Sequence, residues 1–178
     1  MRKVLCAAFI ACMLALLSVL SVPAVQAKPV TNAGGTFLYQ TITPETSRYV
    51  GNDPIGMTVG NVISQGTSEI SASGAFAGPA TDVWMEIDHF TGIDPLTGHI
   101  NFNDVLTISD CHVGTKSGTL ILKLVGFCPM SDWQYSGCWT ILYGTGDLSN
   151  LSGHGTWTAD ATGGLPLPVL YEGFIQFD

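Results

Sequence analysis

Downstream of an apolar N-terminal run, hydrophobic and polar residues alternate with a period of two, in short stretches separated by Gly, Pro, Asn and Asp. No stretch shows the 3.6-residue period of an amphipathic helix of three turns. Successive side chains on a strand point to opposite faces, so this pattern predicts β-strands. Strands are predicted over residues 36–42, 57–64, 67–77, 83–91, 99–109, 119–127, 137–143, 155–159 and 169–177, with 67–77 weakly specified because it is rich in Ser and Gly. The breaks carry Asn52-Asp53-Pro54, Gly78-Pro79, Asp94-Pro95, Gly114 with Gly118, and Gly163-Gly164. Each presets or tolerates a turn φ. Eight or nine short strands at regular spacing predict an all-β barrel or sandwich. The last strand decides between them. Tyr171, Gly173, Ile175 and Phe177 alternate with Leu170, Glu172, Phe174 and Gln176, which leaves apolar groups on both faces. A final strand of that kind fits one that pairs back to the first and closes a single antiparallel barrel of about eight strands, removing exposed edges.

The segment from Tyr143 to Trp157, with Gly144, Gly146, Gly153 and Gly155 and the spaced Leu148 and Leu151, reads as a chain reversal. Gly144 and Gly146 free the backbone to turn, and Asp147 is placed to cap one helical turn anchored by the two leucines. Gly153 is expected to take the left-handed exit, with the returning strand starting at Gly155. A shorter echo over residues 91–99 shares the Leu-Thr/Ser-Gly-His ending. The segment is no phosphate loop. No lysine follows the glycines, and a strand stands where a nucleotide-binding helix would begin.

Composition adds location. Met1-Arg2-Lys3, an apolar run from Val4 to about Val22, and the exit Ala24-Val25-Gln26-Ala27 predict a secretory signal peptide over 1–27, then a lead over 28–34 and a barrel domain over 35–178. No later run is long and apolar enough to span a membrane as a helix. The expected location is secreted or periplasmic. The chain carries 14 carboxylates against 6 Lys and Arg, a formal charge of −8. Removal of 1–27 takes away Arg2 and Lys3 and leaves −10. Nucleic acids and anionic membrane surfaces bind clustered cations, so neither is expected as a partner. The oligomeric state is not encoded in any pattern. Outside the cytoplasm thiols tend to pair. Of Cys111, Cys128 and Cys138, the last two flank a loop expected over 129–137, whereas Cys111 falls at the far end of its strand. The expected disulfide is Cys128–Cys138.

Few chemistries leave a trace. No G-x-S-x-G elbow, H-E-x-x-H or C-x-x-C is present. Lys116-Ser117-Gly118 has no S-x-x-K to supply a nucleophile. Asp110 and His112 share a strand face, but beside a turn they read as a solvated pair, so neither metal nor cofactor is expected. Asn150-Leu151-Ser152 matches a glycosylation acceptor. The constellation that could carry chemistry is Trp84-Met85-Glu86-Ile87-Asp88-His89-Phe90. Val83, Met85, Ile87 and His89 fall on one face, and Trp84, Glu86, Asp88 and Phe90 on the other. Val-Met-Ile is the better core set, which turns the carboxylates outward to solvent. In the reverse orientation Trp84 and Phe90 would line a small-molecule pocket. Desolvation and mutual repulsion would then raise the pKa of Glu86 or Asp88 toward that of a general acid–base.

The succession Gly114-Thr115-x-x-Gly118-Thr119-Leu120, Gly137-Cys138-Trp139-Thr140-Ile141 and Gly144-Thr145-Gly146-Asp147-Leu148-x-x-Leu151-x-Gly153-x-Gly155-Thr156 resembles a group of exported bacterial proteins of unknown function. That group is placed with the allene-oxide-cyclase-like barrels, and the resemblance covers roughly residues 82–177. It implies a compact antiparallel barrel of about eight strands, as in the plant cyclases and the related dirigent barrels, which bind apolar, reactive small molecules inside. Their catalytic residues have no residue-by-residue match here, so their activity does not transfer. The expected function is a non-catalytic secreted barrel that binds a small apolar ligand or an envelope component. The alternatives are a cyclase- or isomerase-like enzyme using Glu86 or Asp88, and a structural envelope module.

Overall fold

The computed structural model describes residues 29–51, 59–91 and 97–178. The expected signal peptide, the Asn52-Asp53-Pro54 and Asp94-Pro95 breaks and most of the 91–99 echo lie outside them. Eight strands, β1 (Thr31–Val50), β2 (Val59–Gly74), β3 (Gly78–Thr91), β4 (His99–Val113), β5 (Lys116–Pro129), β6 (Gln134–Gly144), β7 (Leu151–Asp160) and β8 (Leu167–Phe177), follow one another in order. All pair antiparallel with their neighbours, and β8 returns to β1 to close the barrel. The closure expected from the two-faced last strand is what the chain forms.

Several boundaries differ from the sequence reading. The expected lead 28–34 belongs to β1 from Thr31 onward, because Thr31 to Gly34 pair with Ile175 to Glu172. The runs 57–64 and 67–77 merge into one long β2, since Gln65 and Gly66 stay in register with Met85 and Trp84. The reversal before β7 is also tighter than expected. A single 3₁₀ turn, Gly146–Leu148, forms without a side-chain cap. Gly146 rather than Gly153 takes the left-handed conformation (φ 59°), and β7 already begins at Leu151. Thr145 docks the turn on β5: its N–H donates to Thr119 O at 2.8 Å and its Oγ1 accepts from Thr119 N at 3.0 Å.

The expected Cys128–Cys138 bridge is absent; all three described cysteines are free. The β5–β6 turn spans only 130–133, which places Cys138 well inside β6, opposite Val125. Cys128 is therefore three positions along the ladder, about 10 Å away at ~3.3 Å per residue, beyond the ~7 Å reach of a disulfide. The side chains also diverge, Cys128 being buried and Cys138 exposed.

The two ends of the barrel are built differently. At the end carrying the β2–β3, β4–β5 and β6–β7 turns, Phe37, Phe76, Trp139, Leu120, Leu122 and Leu148 are all fully buried. Tyr171 stacks on Phe37 at 4.3 Å and on Phe76 at 5.2 Å. Its hydroxyl accepts from Phe76 N at 2.9 Å and donates to Ser73 O at 2.8 Å, strapping the β2–β3 turn across the opening. Leu148, the anchor of the glycine-rich reversal, completes this packed end.

Between the ends, tryptophans lie over glycines. Trp139 on β6 pairs with Gly155 on β7, and Gly137 with Trp157. A Cβ at Gly155 or Gly173 would overlap the Trp139 ring, and one at Gly126 or Gly137 would overlap that of Trp157. Each indole N–H reaches a backbone carbonyl, Glu172 O at 3.0 Å for Trp139 and Cys138 O at 3.2 Å for Trp157. Trp139→Ala is expected to cost about 3–5 kcal/mol in urea denaturation, the range for emptying a buried aromatic site. Leu170→Ala, on the outer face at 58 % exposure, is expected to cost under about 0.5 kcal/mol. Equal losses would show that the indole is not a core element.

Candidate functional site

At the other end, beneath the β5–β6 and β7–β8 connections, the interior holds a cavity of about 130 Å³. Phe102 (β4), Leu124 (β5), Tyr135 (β6), Trp157 and Ala159 (β7) and Val169 (β8) form most of its wall. Its polar groups are Tyr39 from β1 and Glu86 from β3. Phe102 meets Trp157 edge-on at 5.7 Å and Tyr135 at 6.3 Å. At this end β1 parts from β8. Its last partner on β8 is Leu167, opposite Tyr39, so residues 40–50 pair only with β2 and Ile42 reaches the cavity margin.

Strand β3 brings the carboxylates here, and it does so in the orientation the sequence reading placed second. Val83 is 64 % exposed and Met85 37 %, while Trp84 is buried. The expectation that Val83, Met85 and Ile87 face the core is therefore wrong. The outer wall accepts them because Val105 and Val125 on β4 and β5 are also exposed there, forming an apolar outer surface. Trp84, Glu86, Asp88 and Phe90 all face inward. Glu86 lines the cavity, whereas Trp84, Asp88 and Phe90 do not. Trp84 lies below it over Gly66, and Phe90 packs at the rim against Ile100, Cys128 and Met130. Asp110 and His112 stand apart, an exposed pair 3.5 Å from each other.

Sequence reasoning missed a second acidic layer beneath Glu86. Asp82 and Asp104 are each 1 % exposed on the interior faces of β3 and β4. Tyr39 Oη donates to Asp104 Oδ2 at 2.9 Å, joining this layer to the cavity. Asp104 Oδ1 has no hydrogen-bond partner among the described residues, and Asp82 lies against Ser68, Tyr39 and Asp104 without a well-formed bond to any of them. The signal was present in the alternation Asp82, Trp84, Glu86 and Phe102, Asp104, Leu106, but it becomes visible only once the Trp84 face is known to point inward.

Desolvation governs the titration of this interior. Burial, then repulsion from Asp88, pushes Glu86 up to about 7. Burial likewise raises Asp88, against a smaller opposing pull from His89. Asp82 and Asp104 are both raised, by burial first, and Asp104 also by Asp82 beside it. Each of the two therefore gives up its proton less readily than a solvated carboxyl. Burial followed by Asp104 and Asp82 drives Tyr39 well above the usual phenol range, and burial followed by Glu86 does the same to Tyr135. Both phenols are therefore neutral donors. Cys128, raised to about 11 by burial first, is an unreactive thiol.

No protein-family model matches the sequence, and no curated protein matches it. Among solved structures the chain is similar to a protein of unknown function of the DUF3224 family from Shewanella oneidensis MR-1, with a TM-score of 0.54, 13% identity, and coverage of 84% of this chain and 98% of that one. It also matches the pterocarpan synthase dirigent protein GePTS1, with a TM-score of 0.41, 15% identity, and coverage of 88% and 94%. At such identities the first likeness shows the fold alone, and the second is too distant to carry an argument.

The raised carboxyls set the sign of the stability profile. Glu86 binds its proton more tightly folded than unfolded, so its contribution is fully present below about pH 4.5 and is lost as pH rises to about 7. That loss amounts to about 3 kcal/mol at 1.36 kcal/mol per pH unit. Denaturation at pH 5 and pH 8 is expected to show wild type weakening toward pH 8 and Glu86→Gln weakening less. Parallel profiles would place Glu86 in solvent.

Proposed function

We propose that this protein is exported after loss of residues 1–27 and binds a small, largely apolar molecule inside the barrel. The cavity carries this reading. A hollow of about 130 Å³ walled by Phe102, Tyr135, Trp157 and aliphatic side chains, with Tyr39 and Glu86 as its polar points, has the make-up of a ligand site. Its volume sets the scale. A dry cavity of about 150 Å³ accepts benzene, so the occupant, or the part of it held inside, is a single ring rather than a lipid chain. The opposite end is packed solid, so the hollow is a local feature of one end. That contrast also weighs against a purely structural envelope module, for which a filled interior would be expected. The signal-like N-terminus supports export, and the resemblance to exported barrel proteins points the same way.

One observation favours a second reading, cyclase- or isomerase-like catalysis. Glu86 lines the cavity with its pKa at about 7, where a general acid–base works best at neutral pH. Asp88, the other candidate, lies outside the cavity wall.

Toluene and benzyl alcohol are expected to quench Trp157 fluorescence and raise the melting temperature of wild type. Ala159→Phe, which fills the hollow, is expected to abolish both effects while keeping a cooperative unfolding transition. Unchanged binding in that variant would place the ligand elsewhere. Turnover of a proton-transfer probe, lost in Glu86→Gln with binding retained, would establish the enzymatic reading over the binding one.

A further inference from the structure

We propose, building on the ligand-binding reading above, that the molecule held in the cavity is a small organic cation: a single-ring amine whose ammonium pairs with Glu86 and whose ring packs among Phe102, Tyr135 and Trp157. The cavity joins a carboxylate to an aromatic cage, the pairing that recognises ammonium groups through Coulomb attraction and the ring quadrupole together. An apolar site with one carboxylate would suit a neutral arene nearly as well. The groups around and beneath it decide otherwise.

Every ionisable group facing Glu86 is acidic or a neutral donor. Asp88 lies on the same strand, Asp104 on β4, Cys128 on β5 and Tyr135 on β6. Tyr39 of β1 shares the cavity wall, and Ser64 of β2 sits directly opposite in the ladder. No base faces the interior among the described residues. Lys116 lies over the Phe177 ring near the packed end, and Lys123 and Arg48 are exposed. His89 and His99 stack on each other at 4.4 Å on the outer face, and His112 and His154 are exposed.

Four carboxyl groups, Asp82, Glu86, Asp88 and Asp104, therefore share the interior without a cation. Buried acceptors in folded proteins nearly always find donors. Here Asp104 Oδ1 and Asp88 Oδ1 find none. Asp104 faces the same interior as Phe102, two residues along β4, and reaches the cavity through Tyr39. An ammonium in the cavity brings three donors to Glu86 and a positive charge to an interior whose other carboxyls lie just behind the wall. An anionic ligand would add one more charge to a site already crowded with them. The formal charge of −8 on the whole chain draws cations toward the protein as well.

The linkage has a definite sign. An alkylammonium stays charged between pH 5 and pH 8, whereas Glu86 must lose its proton to pair with it. With Glu86 at about 7, affinity rises with pH, by roughly 100-fold from pH 5 to pH 8 if only the ionised form binds. Asp88 and Asp104 are raised too and act in the same direction. Below pH 7 each ligand bound expels a proton.

The test is titration calorimetry on the full chain with benzylamine, benzyl alcohol, toluene and benzoate at pH 5 and pH 8. Buffers of different ionisation enthalpy count the protons released. Benzylamine is expected to bind at least 10-fold tighter than benzyl alcohol at pH 8, to lose that advantage at pH 5, and to release a proton at pH 6. Glu86→Gln should remove the preference and the pH dependence while toluene still binds. Asp104→Asn, which keeps a partner for Tyr39, should weaken benzylamine more than toluene. Toluene or benzyl alcohol binding as tightly as benzylamine at pH 8 would overturn the cation and leave the ligand-binding reading standing. Benzoate binding tightest would do the same. If none of the four bound, both would fall.

Discussion

The structure depends on a reciprocal fit between tryptophan and glycine. Gly137-x-Trp139 on β6 faces Gly155-x-Trp157 on β7 in antiparallel register, so each indole lies over the other strand's glycine. Each then continues over a second glycine, Gly173 for Trp139 and Gly126 for Trp157. An eight-stranded barrel is only just wide enough for side chains to fill it. Indoles laid along the wall fit such a space only where the wall has no Cβ. The fit pins register as well. A slip of one residue would turn the slipped strand's ring outward, and a slip of two would set bulk against bulk. Trp84 over Gly66 repeats the device on β3 and β2. Around it the sheet closes, and its placement decides where the interior is full and where it is hollow.

Much of the architecture was legible in the alternation of the chain. The all-β class, the strand count and the closure by a two-faced β8 follow from period-two patterning and turn residues. The glycine-rich reversal, the loudest feature of the sequence, is a turn that seals one end through Leu148. What pattern alone did not fix was orientation. On β3 both faces are credible cores, since Val83, Met85 and Ile87 compete with Trp84 and Phe90. Side-chain hydrophobicity favoured the wrong set because it treats a carboxylate as bound for solvent. The cost of burying Asp104 is reduced by the Tyr39 hydroxyl and that of both carboxyls by their raised proton affinity, neither of which a residue-by-residue reading contains. The disulfide expectation failed for a related reason. It took the segment before Gly137 for loop, whereas Gln134 to Ser136 continue the ladder and carry Cys138 away from Cys128.

The interior therefore divides along its axis. Hydrocarbon and aromatic surface fill the end closed by the Tyr171 strap, as in an ordinary protein core. Toward the other end the filling thins, and acid groups replace aliphatic ones at the same interior positions: Asp82 and Glu86 follow Ala80 along β3, and Asp104 follows Leu106 and Ile108 along β4. A gradient of this kind trades stability at neutral pH for a chemically distinct pocket, a common cost of building a site into a core.

The packed end also constrains traffic through the molecule. With Phe37, Phe76, Trp139 and Leu148 shut off from solvent and Tyr171 hydrogen-bonded across the β2–β3 turn, no solute crosses the barrel from one end to the other. The wall encloses a blind vessel and not a conduit. A molecule held in the hollow would have to arrive and depart without passing the packed end, so its loading and release would share one side of the barrel.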